Sequence, residues 1–527
     1  MVIQGGGRFS IDIEGTEDCA FEVVEVTGSE ALGECFRFCV DMMSFAPDVS
    51  GHALLGKPAV LWLHPASAEG AAVPRRGMVE SFIQSGRGHG GRCFYRVVLV
   101  PRILRLHRIR KSEVYVKPEA MVGIKTVCDV IDVVLGQGGL VKDVDYCIAF
   151  DPENYPLRAF TLQYEESNLD FLSRLLEREG IYSYFEHDGV RERLILVDDH
   201  ASHPRRANTI RYCPTEKMVT PLDDMVFELE TNWSETVTSV RLREFNYRQA
   251  EEVAEASAEL MNCGDGENVL FGESLRTEMD ESGVLLERRA RIRGEELWCA
   301  GHRARGKSYV TGLSPGEVIT LVDHFNAAVN GQYVVARVEH RGTQTAMFSS
   351  SADDQGREGA ERTEYWNTLD LVPLSRQFRP ARKTPLPSVA GVISAEIDSA
   401  GEGVIAHLDK YGRYKIRFHL DSAGKDKNAG KASAWVRMAV PFAGEGVGLH
   451  FPLCKGTEVV VGFEQGAPDR PVILGAVYNS KHPNVVLSGN GDELILHTGK
   501  GGTIGFNYVS GVVCFRGPDG SCWTIAA

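Results

Sequence analysis

A few stretches of this 527-residue chain hold residue types at spacings that could do chemistry. Gly301-His302-Arg303-Ala304-Arg305-Gly306-Lys307-Ser308 has the phosphate-loop spacing: a glycine, four residues, then Gly-Lys-Ser. That chemistry needs a strand to deliver the loop to a helix N-terminus, whose free amides cradle phosphate. Here a helix-like ERRARIRGEELWCA comes before and a strand-like YVTGLSPGEVITL after, so a helix-to-strand loop is expected rather than a nucleotide site. Gly86-x-Gly88-x-x-Gly91 has dinucleotide-fingerprint spacing but lies between two strand-like runs, where the fingerprint requires a helix to follow. It reads as a hairpin loop. Asp198, Asp199, His200 and His203 are metal-ligand types, yet neighbours at a strand end point opposite ways, so a polar loop is expected.

No H-E-x-x-H pair occurs, and Gly312-Leu313-Ser314-Pro315-Gly316, which has the G-x-S-x-G spacing, lies among strand-like runs where Ser314-Pro315-Gly316 reads as a turn rather than an elbow leading into a helix. The carboxylate pairs Glu165/Glu166 and Glu295/Glu296 sit at helix starts or faces, where acidic residues are common anyway. The twelve cysteines contain no C-x-x-C pair, which argues against zinc, and their scatter reads as buried free thiols. No catalytic, cofactor or metal residues are therefore assigned. A net charge of −15 argues against general binding to nucleic acid or anionic membranes. The one basic run, Arg102 to Lys111, reads as a solvated or subunit-facing helix face. The N-terminus lacks a basic region followed by an apolar core, so no signal peptide is expected. No run approaches the ~18 apolar residues of a membrane helix.

The elements around these stretches are mostly strands. Phe21–Val26, Cys35–Val40, Ala59–Leu63, Gly77–Gln84 and Cys93–Val100 are short alternating or apolar runs between Gly, Pro and Ser. A helix is expected over Ile124–Leu135, with Ile124, Val127, Ile131 and Val134 in one stripe. A second follows Ser167, an N-cap with Asp170 in the capping-box position; Leu169, Leu172, Leu175 and Leu176 would be buried, Arg174 and Arg178 exposed, and Gly180 the stop. Ile181–His187 and Arg193–Val197 then form a hairpin turning at Asp188-Gly189. A third helix is expected at Arg288–Ala300, with strands near Gly312–Val322 and Gln332–His340. The fold class is mainly β with a few helices (α+β), in several domains.

The stretch Trp435–Asn479 and the segment before it alternate cleanly. Tyr414, Ile416, Phe418 and Leu420 interleave with Arg413, Lys415, Arg417 and His419, and Val436, Met438 and Val440 share a face opposite Arg437. Val459, Val460, Val461 and Phe463 are apolar on both faces, as in a central strand. Glycines at 444, 446 and 448, a Lys455-Gly456 turn and the Pro468-Asp469-Arg470-Pro471 corner complete a small antiparallel barrel.

The strings YGRYKIRF (411–418), WVRMAVPFAGEGVGLHFP (435–452) and GTEVVVGFEQGAPDRPVILGAVYN (456–479) resemble the OB-fold segment of the VgrG family. VgrG proteins are the valine-glycine repeat spikes of type VI secretion systems, similar to contractile phage tail hubs and spikes. The block 156–189 and VRLREFNYRQ (240–249) resemble further VgrG segments in the same order. The resemblance implies β-barrel-like hub domains with inserted helices over 1–380, a Pro-rich linker over 381–388, an OB-fold neck over 389–480 and the start of a trimeric β-prism over 481–527. It carries a structural motif over to Tyr411, Gly412, Arg413, Trp435, Arg437, Gly444, Gly446, Gly448, Gly456, Glu458, Pro468, Asp469, Pro471, Tyr478 and Asn479. Trp523 and Ile525 are candidate contacts for a tip protein. The implied partners are two further copies of the chain, an Hcp tube hexamer, a PAAR-repeat tip protein and effectors. The implied route is cytoplasmic assembly, then export through the apparatus into or past a punctured envelope. The tail from Lys481 is shorter than the family's long needle, so it is either naturally short or cut. A phage or prophage tail hub, and a delivered cell-wall hydrolase, are the alternatives.

Overall fold

Strands that are apolar on one face must close on themselves or on another layer, and between Phe9 and Val100 six of them do so. A computed structural model describes residues 7–66, 70–116, 126–156, 158–207, 209–214, 224–260, 270–274, 284–344, 364–422 and 430–525. The chain divides into two units, Met1–Pro387 and Ser388–Ala527. In the first, β1 (Phe9–Ile13), β2 (Glu22–Ala31), β3 (Arg37–Ser44), β4 (Pro58–Leu63), β5 (Val73–Arg87) and β6 (Cys93–Val100) pair antiparallel in the order β1-β4-β5-β6-β3-β2. A single helical turn, α1 (Gly51–Leu54), leads into β4. Phe36, Phe38, Val40, Leu61, Leu63, Val97 and Leu99 fill the interior. At Gly28 any Cβ would lie 2.2 Å from the Phe38 ring, so the strand crosses that ring only as glycine.

A helical layer follows: β7 (Arg110–Val116), α2 (Val127–Gln137), β8 (Tyr146–Ile148), β9 (Phe160–Ser167), α3 (Asn168–Glu179), β10 (Tyr182–Glu186) and β11 (Arg193–Val197). Val127, Ile131 and Val134 of α2 are buried as the stripe predicts; Ile124 lies outside the described residues. In α3 the Asp170 amide donates to Ser167 Oγ at 3.0 Å, and Gly180 ends the helix at φ 69°. Leu172 and Leu175 are buried, with Leu169 and Leu176 partly so. Arg174, expected on the outer face, is instead buried. Its Nε lies 2.9 Å from Glu166 Oε2 and its Nη2 donates to the Leu162 carbonyl at 3.0 Å. The period of a helix shows which residues share a face, but not that β9 places a carboxylate against that face. The basic run forms a 3-10 helix, Arg102–Arg108, with Ile103 and Leu106 buried and Arg105, His107 and Arg108 exposed on the other face, while Arg102 is paired to Asp145 and Glu192, each at 2.9 Å.

The remaining hub elements are β12 (Ile210–Tyr212), β13 (Met225–Trp233), β14 (Ser239–Phe245), β15 (Val253–Glu259), β16 (Leu270–Ser274), α4 (Val284–Ala300), β17 (His302–Ser308), β18 (Val318–Val322), β19 (Gly331–Thr343) and β20 (Glu364–Pro373). The order β19-β18-β12-β13-β17-β20 closes into a second barrel because β20 pairs back with β19. Strand β19 belongs to both barrels. One edge runs along β20; the other serves β18 as far as Val334 and β2 from Arg337 onward. A bulge between Val335 and Arg337 makes the handover, and the Ala336 carbonyl accepts from the Leu32 amide at 2.9 Å. Alongside, α4 covers a separate sheet of β15-β14-β16 through Val240, Leu242, Leu286 and Ala290.

Where the two barrels fuse, Glu30 of β2 is buried against Arg75 and two imidazoles. Arg75 Nε donates to it at 2.6 Å and His340 Nε2 of β19 lies 2.9 Å away, with His187 Nε2 at 3.7 Å. Arg75 also donates to the Leu313 carbonyl at 2.8 Å. Burial pushes the Glu30 carboxyl up, but Arg75, His187 and His340 outweigh it and hold it well below its ordinary range. Nearby, His203 Nε2 lies 2.8 Å from the Tyr182 hydroxyl, and burial drives this imidazole down to about 4.

In the second unit, β21 (Ile393–Ile397), β22 (Ile416–Phe418), β23 (Arg437–Met438), β26 (Glu458–Phe463) and β27 (Pro471–Val477) pair in the order β22-β21-β26-β27-β23, with the small hairpin β24 (Ala443–Gly444) and β25 (Val447–Gly448) between β23 and β26. Reciprocal bonds of 2.9 and 2.7 Å between Tyr414 and Val436 join the two ends and close the barrel. The barrel is not wholly antiparallel as expected: β23 runs parallel to β27, which the alternation of either strand cannot reveal. Strand β26 is central, with Val459 and Val461 fully buried. Arg413 and Lys415, expected on the outer face, are buried; Lys415 Nζ donates to the Gly430 carbonyl at 2.8 Å and lies 4.8 Å from the Trp435 ring centre. Val440 is exposed rather than sharing the core with Val436. Beyond it β28 (Glu493–His497), β29 (Thr503–Asn507), β30 (Val513–Arg516) and β31 (Cys522–Ile525) form an antiparallel meander.

Two measurements follow from these buried charges. Glu30→Gln leaves Arg75 unanswered in the interior and should destabilise the first unit by roughly 3–5 kcal/mol in a denaturant titration. His203 is neutral when folded and protonates when unfolded below its ordinary value, so stability should fall as pH drops from about 6.5 to about 4. His203→Phe, which keeps the ring between Tyr182 and Tyr184, should remove up to about 1.4 kcal/mol per pH unit of that slope in unfolding scans.

Candidate assembly surface

The meander β28–β31 is a sheet with an apolar face that the described residues of its own chain leave at least partly exposed. Register pairs Leu494 with Phe506, Leu496 with Ile504, Ile504 with Phe515, Phe506 with Val513, Val513 with Ile525, and Phe515 with Trp523. Directly paired residues share a face, so these eight side chains form one continuous apolar surface. Beyond Ile473 no described residue is buried, and Trp523 is 77% exposed. Contiguous apolar surface of this kind marks a contact site. The hairpin β24–β25 is a second such place: every residue from Ala439 to Pro452 is exposed, including Phe442, Val447, Leu449 and Phe451. In the sequence Leu494, Leu496, Ile504 and Phe506 alternate with polar residues, which signals the first surface. The sequence missed the second, because two-residue strands leave no period to read.

The motif residues of 411–479 do not converge on a pocket; each shapes backbone locally. Asp409 accepts from the Tyr411 and Arg413 amides at 3.0 and 2.9 Å, and from Arg413 Nε at 2.7 Å. Burial raises the Asp409 carboxyl, but these bonds hold it below its ordinary value. Gly412 sits at φ 73° inside that turn, and Tyr411 stays half-exposed under Arg413 and Lys410. Arg437 pairs with Glu464. Glu458 ties to a distant motif residue, Asn479: Ser394 Oγ donates to it at 2.6 Å and Asn479 Nδ2 at 2.9 Å, which lowers its carboxyl. Asn479 Oδ1 in turn accepts the Lys481 and His482 amides at 2.9 and 3.0 Å. Gly444, Gly446 and Gly448 lie in the exposed hairpin, and Gly456 turns into β26 at φ 73°. Pro468 and Asp469 are buried at their corner, Pro471 opens β27, and Tyr478 is exposed near its end.

The chemistry-like stretches of the first unit are occupied by structural bonds. Residues 302–308 are strand β17, not the expected loop. β13 and β20 flank it on both edges, so its amides cannot cradle phosphate. Lys307 pairs with Glu228 at 2.8 Å and Ser308 Oγ donates to Asn367 at 2.6 Å. Gly86–Gly91 is the β5–β6 hairpin end. Asp198 accepts from Tyr155 at 3.0 Å and Asp199 caps a 3-10 turn. Glu166 is held by Arg174, Glu295 by Arg379 at 2.6 Å and Glu296 by Arg293 at 2.7 Å. A cavity of about 420 Å³ between α3 and the segment 378–384 is mostly apolar, and burial pushes its Cys35 thiol up to about 12, far from a working nucleophile. The Pro-rich stretch is fixed to the first unit through Lys383–Glu34 at 2.5 Å and Thr384–Glu177 at 2.8 Å.

Two barrels fused through one strand with a helical layer, and in the second unit a closed five-strand barrel and an uncovered meander, are the fold of a chain whose family models place it in the baseplate-hub class. The chain belongs to the phage tail baseplate hub (GPD) family, whose model matches residues 29–346. Residues 402–478 match the type VI secretion system/phage-baseplate injector OB domain. Similar curated proteins include type VI secretion system spike protein VgrG5 of Pseudomonas aeruginosa, 30% identical over 484 residues, covering 90% of this chain and 58% of that protein. The actin cross-linking toxin VgrG1 of Vibrio cholerae is 27% identical over 520 residues, covering 95% of this chain and 44% of that protein. The chain thus spans 58% and 44% of the lengths of these two relatives. Among solved structures, an E. coli type VI secretion component described as similar to T4 tail proteins gp27 and gp5 superposes with TM-score 0.62 at 22% identity, over 89% of this chain and all of that one (100%). A Francisella PdpA–VgrG complex gives TM-score 0.59 at 9% identity, over 96% of this chain and 79% of that chain. These two likenesses are of fold.

The Asp409 turn generates a direct test. Asp409→Ala removes a charged acceptor from two amides and a guanidinium, so opening of the barrel over 393–479 should become easier by at least about 1.5–3 kcal/mol in hydrogen-exchange mass spectrometry.

Proposed function

We propose that the chain is a spike component of a contractile type VI secretion apparatus and works as a homotrimer. The observation that carries this reading is the apolar face of the tail meander, which a single chain leaves in water. Three copies wound around one axis would bury that face and cover the strand edges that each meander presents, yielding a stiff rod without a metal or cofactor. In this reading residues 1–380 form the hub that seats on a hexameric Hcp tube, 381–388 connect, 389–480 form the neck, and 481–527 begin the prism. Trp523 and Ile525 would meet a PAAR-repeat tip protein, and effectors would travel on the assembled spike. The work done is mechanical: contraction drives the tube, and the rod transmits force to the target envelope. Family membership, similarity to VgrG spikes and the ion pairs that hold Glu166, Glu295 and Glu296 support a non-enzymatic role. A phage tail hub is the second reading, favoured by the family model itself, and it shares the same mechanics.

Light scattering on the full chain tests the assembly. A species of three 58.0 kDa subunits is expected, and Leu494→Asp with Phe515→Asp should shift it toward monomer. A monomeric wild-type chain whose β28–β31 amides exchange freely would sink the trimer reading.

A further inference from the structure

Most described cysteines sit apart from one another, but two near the end of the tail sheet do not. The turn 517–521 sets the register of the last hairpin: the Gly517 amide donates to the Ser521 carbonyl at 2.8 Å, and Asp519 Oδ1 accepts from the Ser521 amide at 3.0 Å. That register pairs Cys514 with Thr524 and Arg516 with Cys522. Cys514 and Cys522 are therefore diagonal neighbours on one face, the face opposite Phe515 and Trp523. Their sulfurs are 3.1 Å apart, inside ordinary non-bonded contact. Cys522 is exposed and Cys514 half-buried, so a small reagent reaches them. These are not the buried, isolated thiols that the scatter of cysteines along the chain leads one to expect.

We propose that Cys514 and Cys522 are a redox modification site, forming a reversible intrachain disulfide that staples β30 to β31. The geometry asks for little movement, since closure takes the sulfurs from 3.1 Å to about 2.05 Å. The contact also divides the roles of the two thiols. The hydrogen bond from Cys514, with help from Thr524 and Arg516, lowers Cys522, while the same contact raises Cys514. Cys522 is the thiolate that attacks first. The oxidant is a low-molecular-weight disulfide, RSSR, of the glutathione class. Cys522 Sγ bonds to one of its sulfurs and the other leaves as RSH after taking a proton. Cys514 Sγ then attacks Cys522 Sγ, the mixed disulfide breaks, and a second RSH departs. Two protein S–H bonds become one S–S bond, and RSSR is reduced to two RSH. A covalent tie matters here because no residue of this hairpin is buried within its own chain. The chemistry stands alone; that the chain would meet an oxidising medium after export rests on the spike reading.

The test uses the full chain treated with oxidised glutathione, then alkylated under denaturing conditions and mapped by peptide mass. Expected is a loss of about 2 Da with Cys514 and Cys522 protected together in one linked peptide, reversed by dithiothreitol. Cys514→Ser should instead retain glutathione on Cys522, and oxidation of the wild type should slow hydrogen exchange across 513–525 about tenfold or more. Independent alkylation of both cysteines after oxidation, a stable glutathione adduct on each, or only interchain links would each overturn the proposal. Light scattering on the same samples keeps the two readings separate. A trimer without the bond sinks only the redox site, and a bonded monomer sinks only the spike.

Discussion

The first unit depends on one buried carboxylate. Glu30 sits where β2 leaves the first barrel to pair with β19, and its partners come from β5, from β19 and from the end of the β10–β11 hairpin. An isolated charge at that depth would cost several kcal/mol, so the site is tolerable only with Arg75 and the imidazoles in place. The same requirement makes the fusion of the barrels specific. Hydrophobic strands could slide by two residues and still bury a face, but a displaced β19 would separate His340 from Glu30.

The two units solve the burial problem differently. The first encloses Phe38, Leu61, Leu371 and their neighbours within its own chain. The second closes only a small barrel around Val459 and Val461, and every described residue after Ile473 stays at least partly exposed. The meander has complete internal ladders yet no second layer. Backbone pairing sets its shape, and burial of its apolar face is left to another molecule.

Spacing alone is a poor guide to chemistry in this chain. The Gly301–Ser308 string satisfies a phosphate-loop pattern while its backbone is committed to two neighbouring strands. Glu166 and Glu295 are held by arginines from other elements, and burial pushes the Cys35 and Cys128 thiols up, away from ionisation. Conversely, the thiols of Cys514 and Cys522 meet across eight positions, with no pattern between them beyond a glycine-containing turn.

Local order was legible in the sequence wherever a side chain's fate depends on its near neighbours along the chain. The Ser167 cap, the Gly180 stop, the 181–197 hairpin and the central place of Val459–Phe463 all followed from period, capping and turn chemistry. So did the alternation of Leu494, Leu496, Ile504 and Phe506, and the resemblance to spike proteins extended that local order into a fold. What the tertiary structure alone decided is which long side chains are buried and what they face. Arg174, Arg413 and Lys415 look like outward residues by period, yet each finds an acceptor supplied from outside its own helix or strand. The parallel pairing of β23, the sharing of β19 and the meeting of Cys514 with Cys522 are of the same kind. Periodicity reports one element at a time, whereas burial of charge and contact between elements are properties of pairs, and pairs exist only once the chain has folded.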